Sequence, residues 1–233
     1  DGHFEFLKSS DLVERRDIEL SIARFGNAAD EYLVSAVDRT EEYKSRENLR
    51  REMLCDSLTG FFNRVGFQEE IEDCLNSRIN GDVFSEYAIL LFDLARFSRV
   101  NESMGAMSGD ELIITVAKRL RTRTRSDEIL CRLGGNEFAL FVPLKAREHL
   151  DSISERLIDA FADPCRLSGF DIQVECAVSA AIGEVANDDP MDVLRLAQIA
   201  MKRAKKSAKF ELYVPGSVET EQRRFSLETD LRK

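Results

Sequence analysis

Histidine is almost missing from this 233-residue chain, which has His3 near one end and His149 in a charged stretch and no others. That scarcity argues against a Ser-His or Cys-His catalytic dyad, so any chemistry must rest on carboxylates, lysines and backbone groups. The five cysteines (Cys55, Cys74, Cys131, Cys165, Cys176) are odd in number and scattered, with no C-x-x-C pair. They imply neither a disulfide framework nor a zinc site, and a reducing, cytoplasmic setting is expected. No apolar run approaches the ~18 residues of a membrane span, so no membrane contact is expected of this segment. With 33 basic against 43 acidic residues the formal net charge is −10, which argues against a chain built to coat nucleic acid. A small anionic ligand on a local basic patch stays open. No signal peptide is visible, and the abrupt start at Asp1 and charged end at Lys233 are expected of a piece of a larger protein.

Against these absences stands a regular alternation. Ile18, Leu20 and Ile22 alternate with polar neighbours, Gly26-Asn27 offers a turn, and Tyr32 to Val37 reads as a second strand. Because an isolated hairpin is marginal in water, residues 1–40 are expected to end a truncated domain or to be covered by a partner. A charged helix follows over 41–55. From Asp56 the pattern is α+β. Phe67, Ile71 and Leu75 mark a helix after the turn-like Asn63; Tyr87 to Phe92 is a buried strand ending at Asp93. Leu112, Val116 and Leu120 give a helix that Asp110 and Glu111 open. Further elements are a helix over 147–162 closed by Pro164, a strand over 172–183, and a last helix over 191–206.

The most informative stretch is Gly134-Gly135-Asn136-Glu137-Phe138, between the strand-like runs 129–133 and 138–142. It predicts a hairpin whose tip carries Asn136 and Glu137 into solvent or onto a ligand, with glycines that allow close backbone approach. Asp93 stands beside that tip if the strands share a sheet. Two such carboxylates are a plausible seat for Mg²⁺, which prefers carboxylates plus phosphate oxygens, although on spacing alone two solvated loop acids are the favoured reading. Asn101 and Asp110 flank a loop with Gly105 and Gly109. They suit the donors and acceptors of a guanine edge, while Asp110 also suits a plain helix start. Lys205 and Lys209 lie one turn apart beside the apolar stripe Ala197, Ala200, Met201, Ala204, Ala208. They are either phosphate contacts or a solvated face.

In their order these features resemble the GGDEF family, the diguanylate cyclases that condense two GTP into cyclic di-GMP and diphosphate. Asp56-Ser57-Leu58-Thr59-Gly60-Phe61-Phe62-Asn63-Arg64 is similar to the family's D-x-L-T-G-L-x-N-R opening. Leu91 to Leu94 with Phe97, Asn101, Gly105, Gly109 and Asp110 resembles its second block, residues 134–138 its signature, and 200–209 its closing block. The resemblance implies an adenylyl-cyclase-like palm fold, a central, mostly antiparallel sheet flanked by helices. It also implies Mg²⁺ or Mn²⁺ on Asp93 and the Leu94 carbonyl, guanine on Asn101 and Asp110, phosphates on Lys205 and Lys209, and nucleotide against Gly134 and Gly135. The third signature residue, in the family an acid that binds metal and helps activate the attacking 3′-hydroxyl, is here Asn136, so Asn136 and Glu137 are expected to form an impaired catalytic pair, with Asn136 at best a weak metal ligand. Ala95, Ser98, Ala106 and Ala208 are further departures. Little or no cyclase activity is therefore expected.

Arg125 and Glu128 stand at the spacing of the family's R-x-x-D inhibitory site for cyclic di-GMP. Asp38-Arg39-Thr40-Glu41 resembles the exit of a PAS sensor, and Leu227 to Lys233 the start of an EAL phosphodiesterase. The expected organisation is a PAS-like end at 1–40, a linker helix at 41–55, a GGDEF domain at 56–213, and a linker with an EAL start at 214–233. Expected partners are GTP, cyclic di-GMP, the chain's own PAS and EAL domains, and a second copy. The main expectation is an impaired domain that tunes the phosphodiesterase; a working cyclase and a structural spacer are the alternatives.

Overall fold

The computed structural model describes residues 4–7, 13–24, 32–78, 84–207 and 209–215. The chain divides into two compact units, Asp1–Met53 and Leu54–Lys233. No helix among the described residues is long and apolar enough to cross a membrane.

In the first unit β1 (Phe4–Leu7) pairs antiparallel with β2 (Val13–Arg16), a pairing the sequence pattern did not reveal. The expected second hairpin is present as β3 (Ile18–Arg24) and β4 (Tyr32–Asp38); its Gly26-Asn27 turn lies outside the described residues. Helix α1 (Thr40–Leu54) starts where local hydrogen bonds fix the chain. The Asp38 carboxylate accepts from the Thr40 N–H at 3.0 Å, and the Thr40 hydroxyl oxygen accepts from the Asp17 N–H at 2.9 Å. Arg39 pairs with Glu19 and Glu42.

The second unit is built on a five-stranded sheet. Its strands are β5 (Glu86–Leu94), β6 (Ile129–Gly134), β7 (Glu137–Leu144), β10 (Cys176–Glu184) and β11 (Glu211–Leu212), in the order β11-β10-β5-β7-β6. The pairs are antiparallel except β10 with β11. The central strand β5 has two buried faces, as a continuous apolar run requires. Ala88, Leu90, Phe92 and Leu94 share a core with α4 (Ala106–Arg123) and α5 (His149–Ile158). Tyr87, Ile89 and Leu91 share another with α2 (Arg64–Arg78) and α6 (Pro190–Ser207). The mostly antiparallel sheet flanked by helices is the α+β architecture expected. Helix α2 opens on Asn63, whose side-chain oxygen accepts from the N–H groups of Val65 and Gly66 at 2.9 and 3.0 Å. A small hairpin, β8 (Cys165–Leu167) with β9 (Phe170–Ile172), completes the unit.

Three boundaries differ from the pattern, each for a local reason. The stretch expected to be a loop from Asn101 to Asp110 is helical: α3 (Phe97–Met104) and α4 are separated by Gly105 alone, at φ 85°. Asp110 therefore sits in the second turn of α4 and does not open it. The apolar period began late because Ala106 and Met107 face solvent and the Ser108 hydroxyl donates to the Met104 carbonyl. The expected strand from 172 to 183 breaks at 173–175, where the Gln173 amide donates to the Phe161 carbonyl and Glu175 O accepts from Ala95 N. Finally, α6 ends at Ser207, so Lys209 lies beyond the helix and not one turn after Lys205; Ala208 lies outside the described residues.

Candidate functional site

The pleat of β5 carries Asp93 to the site. Odd-numbered residues face α6, so Asp93 continues the row of Ile89 and Leu91 as a carboxylate that is 5% exposed at the strand's end. In the β5–β7 register Asp93 lies directly opposite Glu137. Two like charges in that position repel. Lys205 on α6 stands over both, its Nζ 2.5 Å from Asp93 Oδ2 and 4.0 Å from Glu137 Oε1. Burial, then the negative charge of Asp93, pushes the Glu137 carboxyl above the usual range, with Lys205 pulling the other way.

The hairpin tip is formed as expected. Gly134 at φ 139° and Gly135 at φ 53° hold backbone conformations that suit glycine, and a Cβ on either would meet open space. Asn136 follows, and its backbone oxygen accepts from Leu94 N at 3.2 Å. Its side-chain NH₂ donates to the Leu94 carbonyl at 2.7 Å and to Asp93 Oδ1 at 3.1 Å. The reverse rotamer would set the amide oxygen against two other oxygens, so the hydrogen-bond pattern fixes the orientation. Asn136, expected to be at best a weak metal ligand, thus turns its nitrogen towards the neighbouring oxygens. No group of three or more His, Cys, Asp or Glu among the described residues is arranged to hold a metal ion.

Arg132 supports this tip, and the motif reading passed over it. Its Nη1 reaches both oxygens of Asp56 at 3.1 Å, while Nε and Nη2 donate to the Gly135 carbonyl at 3.1 and 2.8 Å. Asp56 also accepts from the Thr59 N–H and hydroxyl. Burial pushes the Asp56 carboxyl upward, but the Thr59 and Arg132 hydrogen bonds outweigh it and leave it below its ordinary value. The opening motif and the signature are therefore one hydrogen-bonded unit. Phe62 reinforces it, forming a bridge to Cys131 and accepting from Arg132 N at 2.9 Å. A charged residue inside an otherwise apolar strand was the signal available in the sequence.

Beside Asp93 lies a cavity of about 270 Å³ walled by Ala95, Arg96, Glu175, Ala177 and Lys205. Arg96 holds the left-handed conformation (φ 58°, ψ 22°) at the start of α3. The expected guanine pair forms a second locus at the α3–α4 junction. A Cβ on Gly109 would come within 1.9 Å of Asn101 Oδ1, which is buried and has no hydrogen-bond partner among the described residues, and Asp110 is exposed next in sequence. Lys209 is exposed past the end of α6. Arg125 and Glu128 do not form an open pair: Arg125 is exposed, whereas Glu128 is buried and accepts from the Arg125 backbone N–H and the Arg156 guanidinium.

Comparison with known proteins agrees with this arrangement. The family model described as "Diguanylate cyclase, GGDEF domain" matches residues 53–210. The chain is 30% identical over 206 residues to the cyclic di-GMP phosphodiesterase PdeR of Escherichia coli K12, covering 86% of this chain and 30% of that protein. It is also 30% identical over 203 residues to the diguanylate cyclase TpbB of Pseudomonas aeruginosa, covering 84% and 46%. The chain thus spans less than half the length of these relatives. The solved GGDEF domain of P. aeruginosa TpbB superposes with a TM-score of 0.65 at 28% identity, covering 72% of this chain and 99% of that one. Matched over most of its length, and carrying the opening motif and the hairpin signature in one bonded unit, the chain belongs to the GGDEF domain family of diguanylate cyclases.

Proposed function

We propose that this is a GGDEF domain with an impaired cyclase centre, which engages a guanine nucleotide and regulates an EAL phosphodiesterase further along the same protein. The Asn136 amide carries this reading. The family's reaction calls for an acid at this position, and an amide neither accepts a proton nor offsets positive charge. Here its NH₂ is committed to Asp93 and the Leu94 carbonyl. Proton transfer by such an acid group contributes on the order of 10²–10⁴ in rate, and Ala95 and Ser98 replace two more of the family's charged side chains. In this reading Asn101 and Asp110 take the base and Lys205 the phosphates, with Lys209 approaching on nucleotide binding. Contact with cyclic di-GMP rests on Arg125 alone, because Glu128 is already bonded inward.

A working cyclase is the second reading, favoured by Glu137 and Lys205 standing together and by the likeness to TpbB. It requires the Asn136 amide to turn out of its two hydrogen bonds, and a homodimer that brings two GTP face to face. Incubation with GTP and Mg²⁺ or Mn²⁺, followed by chromatography, separates the two. We expect no cyclic di-GMP above background; steady turnover would refute the impaired reading. Asp110→Ala is expected to weaken GTP binding about tenfold or more, the loss of a charged hydrogen-bond acceptor worth ~1.5–3 kcal/mol. Unchanged affinity in calorimetry would remove Asp110 from the base site.

A further inference from the structure

Asp93 and Glu137 form a facing pair of carboxylates, and the Leu94 carbonyl points at the same hairpin tip. Such a set of oxygens normally gathers around a cation, because nothing else offsets their mutual repulsion. Here the offset is supplied by the protein. The Lys205 ammonium covers Asp93 Oδ2, and the two hydrogens of the Asn136 amide cover Asp93 Oδ1 and Leu94 O.

Resting on the family reading above, we propose that Asn136 and Lys205 together replace the divalent ion, making this a metal-independent site that takes a phosphate-bearing ligand as the bare anion. An ion bonded to both Asp93 Oδ1 and Leu94 O would have to share that space with the amide nitrogen, a donor group that coordinates hard cations poorly. The amide also adds two side-chain hydrogen bonds to the backbone bond from Leu94 N that already holds the tip to β5. The adjoining cavity fits the same account. Its wall carries the cations Arg96 and Lys205 and the carboxylates Asp93 and Glu175; Lys205 is paired with Asp93, while Arg96 has no ion-pair partner among the described residues and is the cation left to meet a phosphate entering there. Asn136→Asp changes one NH₂ to an oxygen, yet it would set three carboxylates against a single ammonium and restore the demand for a divalent ion.

The test uses the metal alone, so it is independent of whether GTP binds or turns over. Mn²⁺ is titrated into the protein and the free ion is followed by electron paramagnetic resonance. The expected result is no stoichiometric Mn²⁺ uptake by the wild-type chain, with Asn136→Asp gaining one site at least tenfold tighter than any wild-type binding. The Asp93→Asn, Asn136→Asp double variant should lose that site again. Circular dichroism melts of each variant show that the fold is kept. One equivalent of Mn²⁺ on the wild type that disappears in Asp93→Asn would overturn the proposal. So would a folded Asn136→Asp variant that takes up no Mn²⁺.

Discussion

Arg132 carries more of the site's geometry than its place in an apolar strand suggests. Its side chain is 12% exposed, that of Asp56 20%, and together they hold the Gly135 carbonyl. Arg132→Met keeps the aliphatic stem but leaves Asp56 without its counter-ion. The expected cost is about 2–3 kcal/mol, the penalty of a part-buried charge stripped of its partner. Urea unfolding should show a lower midpoint with an unchanged slope. The pair also has a pH signature. Because the folded-state value of Asp56 is depressed, its contribution is complete above the ordinary carboxylate range and is lost as the pH falls through the lowered value. Stability of the wild type should therefore drop with acid more steeply than that of Arg132→Met. Glu137 runs the other way, since its raised value means a contribution present at low pH and lost as the pH rises through it.

Helix α2 offers a test at the scale of one element. A glycine inside a helix ordinarily costs ~1 kcal/mol against alanine, so replacing Gly66 would be expected to stabilise. A Cβ at Gly66 would lie 2.2 Å from the Leu54 carbonyl oxygen and 2.9 Å from the Phe62 ring. Backbone does not yield as a flexible side chain does, and Asn63 N is bonded to that same Leu54 oxygen. Gly66→Ala should therefore destabilise by about 1–3 kcal/mol, the range of overpacking, and lower the thermal midpoint by several degrees. A rise in midpoint would show that the opening loop moves aside. Helices α3 and α4 show why some elements were hard to read. A loop rich in glycine and a helix pair with Gly105 as its joint leave the same composition, and a solvent-facing first turn carries no apolar period.

For the molecule as a whole, the α+β sheet was legible because β5 carries a long apolar run, Tyr87 to Phe92, that ends at Asp93, and β6–β7 carries its turn signal between two apolar runs. The family followed from the order of those motifs. What stayed hidden depends on contacts between distant segments. Which atoms of the Asn136 amide face Asp93 is set by the direction of the Leu94 carbonyl, 42 residues away in sequence, and Arg132 gains its role only once Asp56 is folded against it. Likewise Glu128 kept the expected charge, but Arg156 on α5 draws it inward.

The bridge from Phe62 to Cys131 has a colloidal consequence as well. Strand β6 is an outermost strand, and an uncovered edge is a template on which another chain can add a strand. With the Arg132 N–H already given to the Phe62 carbonyl, that side is blunted near its middle, whereas on the opposite side β11 shields β10 over two residue pairs, Ser179 with Glu211 and Ala180 with Leu212. Loss of the short β11 strand would therefore turn β10 into an uncovered edge on which another chain could add a strand.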